Sequence, residues 1–313
     1  MEITPSALAG MFTGYQVAFN QGYEAAEIWW DGVATPMPSA TEQNTYAWMA
    51  QLPRMKPWLG ERTARNIAAH AYTLVNGDWE ESVEVPRNKI LDDTYGVFAP
   101  LMAALGDASK KWEDEMLRPV IEAGATTLTF DGQNFFDAAH PIDVNFPDYG
   151  TQSNLFTTAS GDARLLTPEN FAYVRAKMRA FKGESNRAMR VRPTVLMVPT
   201  ALEQMGKFVL EADFLAGATQ AGVTVVGPQT NIFKNDVKLL VNPELTSDTD
   251  WYLLDTSKPI KPFLVQRRQA PIFVPLTAPT DPNVYRRKIF EYGVDARGAA
   301  GFTLWFLAAK GGA

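Results

Sequence analysis

The sequence predicts an α+β protein in which one long helix carries a discontinuous domain. Three observations carry that expectation. First, Tyr95, Phe98, Met102, Leu105, Trp112, Met116 and Val120 recur at steps of three, four or seven, the period of one helix face, between Asp92 and Ala123. Second, residues 166–254 mix helix signatures with short apolar runs, as in a compact α+β unit. Third, strand-like runs return after residue 255 and need partners from earlier in the chain. The run TLTF (Thr127–Phe130) beside the long helix is the natural partner, so residues 166–254 are expected as an insertion.

The long helix has the clearest local chemistry. Asp107, Lys110, Lys111, Asp114 and Arg118 take the face opposite the apolar one. Asp107/Lys111 and Asp114/Arg118 place an acid four residues before a base, the favourable order on an exposed helix. Asp92 and Asp93 offer an N-cap and Gly124 a stop. A helix over the whole span would be about 48 Å long. Pro100 crowds the carbonyl of Gly96, which predicts a bend there and a regular helix starting near Pro100.

Residues 1–45 open with a short amphipathic piece (Ala7, Leu8, Met11, Phe12, Tyr15, Val17, Phe19) and then loosen into EIWWDGVATPMPSATEQNTYAW. Trp29 and Trp30 stand beside a Pro/Ser/Thr/Gly-rich run that cannot build its own core. They pack either back on the same chain or on a neighbour, and the neighbour is the favoured expectation.

Residues 46–90 have the pattern of an extended excursion. Asn76-Gly77 is a strong two-residue hairpin signal, followed by Trp79, Glu81, Val83 and Val85 on one face and Glu80, Ser82 and Glu84 on the other. The acid run DWEESVE is expected to face Arg54, Lys56, Arg62 and Arg65, within the hairpin or across subunits. A hairpin of this size is not stable alone, so it should lie on something. His70 has no second ligand nearby and is expected to be structural.

Asp131, Asp137, His140 and Asp143 form the one cluster with the residue types of a metal or acid–base site. Turn chemistry at Asp131-Gly132 and His140-Pro141, with Phe130, Phe135 and Phe136 as plugs, accounts for the same residues and is preferred. Residues 150–165 are small and polar, as in a linker or boundary. Thr167-Pro168-Glu169 is a helix start, with N-cap, proline at N1 and an acid in the first turn. Phe171, Val174, Met178 and Phe181 share that helix's apolar face. TVLMV (Thr194–Val198) is a buried strand by composition, Pro199-Thr200 opens a further helix, and VTVVGP, KLLV and WYLLD are short strands. Arg175, Lys177, Arg179, Lys182, Arg187, Arg190 and Arg192 make the best nucleic-acid candidate, although a solvated helix face or a rim of intersubunit salt bridges explains them as well.

Composition narrows the function. A formal charge of −6 argues against a protein whose main task is gripping nucleic acid. The absence of cysteine excludes disulfides, thiolate metal sites and cysteine nucleophiles. No Gly-rich phosphate loop, nucleophile elbow, HExxH or CxxC is present, and GAAGF lacks a dinucleotide-site context. No enzyme activity, cofactor or metal is therefore expected. The N-terminus lacks a basic start followed by an apolar run, and no stretch approaches the roughly 18 apolar residues of a membrane span. The expectation is a soluble protein folded in the cytoplasm.

Six segments, in order along nearly the whole chain, resemble the major head subunit family of Mu-like phages and prophages. They are ITPSAL; NTYAWMAQLPRMKPWLGERTARNIAAHAYTL; LDDTYGVFAPLM; FDGQNFFDAAHP; WYLLDTSKPIKPFLVQRRQAP; and YGVDARGAAGFTLWFLA. The resemblance implies the Hong Kong 97 capsid fold. Residues 1–45 would be the N-terminal arm and 46–90 the extended loop. Residues 91–165 with 255–313 would form the peripheral domain with its spine helix, and 166–254 the axial domain. It implies a major capsid protein of a tailed bacteriophage or prophage, assembling through pentamers and hexamers into an icosahedral shell around double-stranded DNA. The implied partners are further copies of itself, a scaffold or protease, a portal, decoration proteins and non-specifically contacted DNA, with no membrane. It would reside in the virion capsid after assembly in the bacterial host cytoplasm. Trp29, Trp30, Trp58, Arg62, Arg65, Trp79, Arg267 and Arg268 are the expected subunit-interface residues, and deleting residues 60–85 should leave a folded chain that forms no shells. The alternatives are an encapsulating nanocompartment shell, or a metal-dependent hydrolase using Asp131, Asp137, His140 and Asp143.

Overall fold

The computed structural model describes residues 5–47, 71–91, 96–143, 146–183, 186–215, 219–220, 223–224 and 227–313. Trp58, Arg62, Arg65, His70, Asp92, Asp93 and Tyr95 lie outside the described residues. Helix α1 (Pro5–Ala25) leads through a short turn of helix (Trp30–Val33) to strand β1 (Ala34–Pro38). Strands β2 (Gln43–Ala47), β3 (Ala71–Val75) and β4 (Gly77–Pro86) precede the long helix α2 (Phe98–Glu122). Then come β5 (Leu155–Phe156), α3 (Pro168–Arg179), β6 (Val195–Pro199), α4 (Glu203–Glu211), β7 (Lys238–Asn242) and β8 (Trp251–Leu254). The chain closes with β9 (Phe263–Leu276), α5 (Pro282–Arg287), β10 (Ile289–Phe302) and β11 (Ala308–Gly311).

Helix α2 confirms the apolar period and corrects its limits. Met102, Leu105, Trp112 and Met116 are buried, as the spacing predicts. Its 25 residues make a rod of about 37 Å. Pro100 falls in the first turn, where its missing N–H would have no intrahelical partner, so it bends nothing. The helix starts at Phe98, near the expected start, and Gly96, where the bend was expected, has a left-handed φ of +67° that suits glycine. The far end tightens into a 3-10 turn, Ala123–Ala125, where the Phe136 ring leaves no room for a side chain on Gly124.

Two sheets organise the rest. The first has the order β1-β9-β10-β4, with β1 parallel to β9 and the other pairs antiparallel. The second has the order β7-β6-β8-β11-β5. Every residue of β6 and β8 is buried, as in strands covered on both faces. One core cluster joins this second sheet to Phe135, Phe136, Phe263 and the last part of α2. A separate cluster packs Phe19 of α1, Met102 and Leu105 of α2, and Phe290, Tyr292 and Val294 of β10.

The strand partners differ from the sequence expectation at four places. TLTF is not a strand: Leu128 makes a single bridge to Asn134 around the Asp131-Gly132 turn. The C-terminal strands pair instead with each other, with β1 and with β4. Asn76-Gly77 is not a two-residue hairpin turn, because β3 pairs with β2 while β4 runs ten residues along β10. Long-range pairing overrides the local turn signal here. Residues 150–165 are not a linker either: Leu155 and Phe156 are buried and form the edge strand β5 beside β11. The second sheet therefore draws strands from outside 166–254 at both ends.

Polar side chains fix these joins. Asn76 is buried and donates to Ser39 Oγ and to the carbonyls of Thr41 and Glu42, while accepting from Gln266 Nε2 at 2.7 Å. Asn154, fully buried, donates to the carbonyls of Phe135 (2.8 Å), Trp305 (3.1 Å) and Ala308 (3.2 Å), and accepts from Asp137 N at 2.8 Å. Three distant segments thus meet on one amide. Helix α3 starts as predicted, with the Thr167 hydroxyl accepting from Asn170 N and Pro168 at N1. Among the described residues no helix is long and apolar enough to cross a membrane.

Candidate assembly surfaces

The expected interface residues divide by where the chain places them. Trp30 is 5% exposed and sits in the main core of its own chain, and Trp29 packs partly against the same core. The expectation that both reach for a neighbour is corrected for Trp30. Its backbone shows why: Asp114 Oδ1 accepts the N–H of Trp30 at 2.8 Å and of Trp29 at 3.2 Å. Asp114 is therefore not on a solvated face paired with Arg118. It is buried, and Arg118 pairs with Glu122 at 3.2 Å instead. The Asp107–Lys111 pair forms as expected, at 2.8 Å. Burial pushes the Asp114 carboxyl up to about 7 against those two N–H bonds, with Glu244 and Asp31 adding to the rise.

Arg267 has a partner within its own chain. Its guanidinium grips Glu113 of α2 through Nε (2.7 Å) and Nη2 (2.6 Å), a bidentate pair that clamps the four-stranded sheet to the helix. The Glu113 side chain is 1% exposed and that of Arg267 39%. Arg267→Ala strands a buried carboxylate, and the exposure of the arginine discounts the effect. We expect a loss of about 2 kcal/mol, read from the denaturant midpoint. The double change Glu113→Gln with Arg267→Met should recover most of it; no recovery would show that the loss came from packing alone. Arg268, one residue on, is exposed on the outer face. Trp79 is 37% exposed, with its ring 6.0 Å from that of Trp112 on α2, so it closes the end of the sheet.

The acid run of β4 meets arginines from the C-terminal part of the chain. Asp78 pairs with Arg297, and Glu84 with Arg287 at 2.9 Å. Across the sheet the register lines up Leu276–Glu291–Glu84, Val274–Gly293–Ser82 and Ile272–Asp295–Glu80. Ile272, Val274 and Leu276 are 49%, 45% and 45% exposed, so this outer face carries an apolar stripe beside an acidic one. A row of half-exposed branched residues on a regular strand marks a surface that something covers. The period-2 alternation of β9 was the sequence signal for it. Past Arg267, β9 has no partner on its β1 side among the described residues. Pro271 and Pro275 carry no N–H to offer a stray strand.

In the FDGQNFFDAAHP loop, His140 Nδ1 and Asp131 Oδ2 are 2.7 Å apart with both side chains buried. The imidazole stacks on Trp305 at 3.8 Å and 4°. Burial works to raise the Asp131 carboxyl, but hydrogen bonds from His140, Thr129 and Gln133 N–H outweigh it and hold it below the usual range. Asp137 caps its own turn through Ala139 N. No group of three or more acidic, histidine or cysteine side chains that could hold a metal occurs among the described residues, and the Asp131–His140 pair with its stacked Trp305 ties the loop to the core. In the basic stretch, Arg175 pairs with Asp236 at 2.6 Å, while Arg179, Lys182, Arg187, Arg190 and Arg192 are exposed.

Comparison with known proteins adds an independent finding. The family model of the Mu-like prophage major head subunit gpT matches residues 8–164, 155–245 and 242–312. The chain is 28% identical over 306 residues to the Mu-like prophage FluMu major head subunit of Haemophilus influenzae, covering 98% of this chain and 73% of that one. It is 25% identical over 308 residues to the major capsid protein of Escherichia phage Mu, covering 98% and 74%. Among solved structures, the procapsid of bacteriophage JBD30 matches with a TM-score of 0.62 at 28% identity, over 99% of this chain and 76% of that chain.

Proposed function

Because the chain belongs to the Mu-like prophage major head subunit family, we propose that its copies assemble through hexamers and pentamers into an icosahedral shell around double-stranded DNA. It is a major capsid protein with the Hong Kong 97 capsid fold, a structural component of the phage head. On this proposal residues 1–45 are the arm, 46–90 the extended loop, 91–165 with 255–313 the peripheral domain, and 166–254 the axial domain. Assembly takes place in the host cytoplasm, with a scaffold or protease, a portal and decoration proteins as partners.

One observation carries the assembly mechanism furthest. The paired strands β2 and β3 end with Ala47 opposite Ala71, which flank residues 48–70. That stretch includes Arg54, Lys56, Trp58, Arg62 and Arg65, and its chemistry complements the acidic and apolar outer face of β4, β9 and β10. We assign that face on one copy as the seat for residues 48–70 of the next. Many weak contacts of this kind become strong through repetition around the shell.

The deletion that tests this must stop at residue 70. Removing 60–85 would cut β4 out of the four-stranded sheet, with Val85 from the core, so the folded product expected from sequence would not form. Replacing 48–70 by a short glycine–serine link between Ala47 and Ala71 should leave a soluble, cooperatively folding chain. Electron microscopy should then find no closed shells. Normal shells from that chain would overturn the assigned seat.

A further inference from the structure

We propose that Asp114 is a proton-operated latch that seats the Trp29–Trp30 corner of the arm on the spine helix and releases it when the carboxyl ionises. The corner has no cap of its own: the helical turn Trp30–Val33 begins without a side-chain hydrogen bond from Trp29. Its first two N–H groups instead converge on one oxygen of Asp114, eighty-four and eighty-five residues along the chain. A single buried carboxyl therefore holds the polar side of the joint.

The surroundings disfavour a charge there. Asp31 approaches from the corner itself and Glu244 from the segment after β7, and Glu115 of α2 faces Glu244 in turn. The cations within reach are already engaged: Lys111 by Asp107, Arg118 by Glu122, and Lys261 by the Asp31 carbonyl. Trp29 Nε1 and Glu244 Oε2 are buried beside one another, and the indole N–H works against the rise of the Glu244 carboxyl. Glu122 also accepts from Thr246 N and Oγ1, both at 2.8 Å, which ties the same segment to the helix independently of the latch.

The direction of the effect follows from the carboxyl's raised affinity for its proton. Asp114 titrates near 7 when the corner is seated and near the ordinary 3.8 when it is free. The seated form then binds the proton more tightly, so seating is strongest in mild acid and is lost progressively as pH rises through 7. Burial of Glu244, together with Glu115, pushes its carboxyl in the same direction. If the chain builds a shell, release above neutrality frees the arm to reach a neighbouring copy. That consequence rests on the assembly proposal, whereas the latch is a property of one chain.

Hydrogen exchange on the full-length chain, kept dilute enough to remain unassembled, tests it. Protection of residues 28–34 is taken relative to 112–121 in the same sample, which cancels the intrinsic pH dependence. The ratio should fall roughly tenfold between pH 6 and 8 in the native chain, since seating weakens by up to a factor of ten per pH unit below the seated titration point and levels off above it. It should stay flat in Asp114→Asn, which keeps an acceptor and cannot ionise. A flat ratio in the native chain, or the same slope in Asp114→Asn, overturns the latch. If Asp114→Asn does not fold, Glu244→Gln decides: a midpoint moved to lower pH supports the latch, and an unmoved one overturns it. A chain that shows the latch yet never forms shells would sink the assembly proposal and leave the latch standing.

Discussion

Asn154→Ala is expected to lower the stability of the unassembled subunit by about 3–5 kcal/mol, well above the cost of an ordinary point substitution. The change removes the amide's bonds to the carbonyls of Phe135, Trp305 and Ala308 and to the N–H of Asp137, where Asn154 is fully buried, although Trp305 keeps the N–H of Ala308. Each unsatisfied buried group costs about 1–3 kcal/mol, and partial relaxation keeps the total below the sum. Asn154→Asp should be about as damaging, because it keeps the acceptor and loses both donors. Thermal unfolding of the subunit is the measurement. A loss under about 1 kcal/mol in both variants would mean that this amide does not join the three segments.

The second large effect concerns how closely α1 lies on α2. A Cβ on Gly106 would collide with the Phe19 carbonyl, and one on Gly22 with the Ala103 carbonyl. In an open helix, glycine to alanine gains up to about 1 kcal/mol. Here the sign should reverse, with Gly106→Val costing about 3 kcal/mol and lifting α1 from the spine. Limited proteolysis should then cut within residues 5–25, which the native chain protects. Gly10 provides the control, since it lies on α1 with open space around it. Gly10→Ala should be neutral or mildly stabilising. Equal effects at Gly10 and Gly106 would rule out the close crossing as the cause.

What the sequence disclosed was local. The apolar period of α2, the Thr167-Pro168 start of α3 and the buried run Val195–Val198 all depend on residues within a turn or a strand of one another. What it hid was partnership. Asn76-Gly77 has ideal hairpin chemistry, yet the ten-residue register of β4 with β10 dominates the joint. Asp114 fits the acid-before-base rule with Arg118, but two orphaned N–H groups more than eighty residues away claim its oxygen. Trp30 was visible as an aromatic in need of cover, and only the folded chain shows that the cover is its own core. Arg267 was visible as a charge, and its partner Glu113 lay in a helix whose apolar period gave no hint of a buried acid. The outer sheet face was legible only as alternation in β9, because its acidic half comes from two other strands.

The placement of the last strands sets a timetable for synthesis. β9 and β10 occupy the two inner positions of the first sheet, and β11 lies between β8 and β5 in the second. A nascent chain that ends before Phe263 has no central strands for β1 and β4 to join, and β5 has no neighbour until Ala308–Gly311 emerges. At about 5–20 residues per second, the ribosome holds an incomplete chain for tens of seconds while the outer strands wait. Neither sheet can close during that time. β1 and β4 therefore wait on strands roughly two hundred residues further along the chain, and β5 on one about a hundred and fifty residues further, so each sheet is completed across a long stretch of intervening sequence.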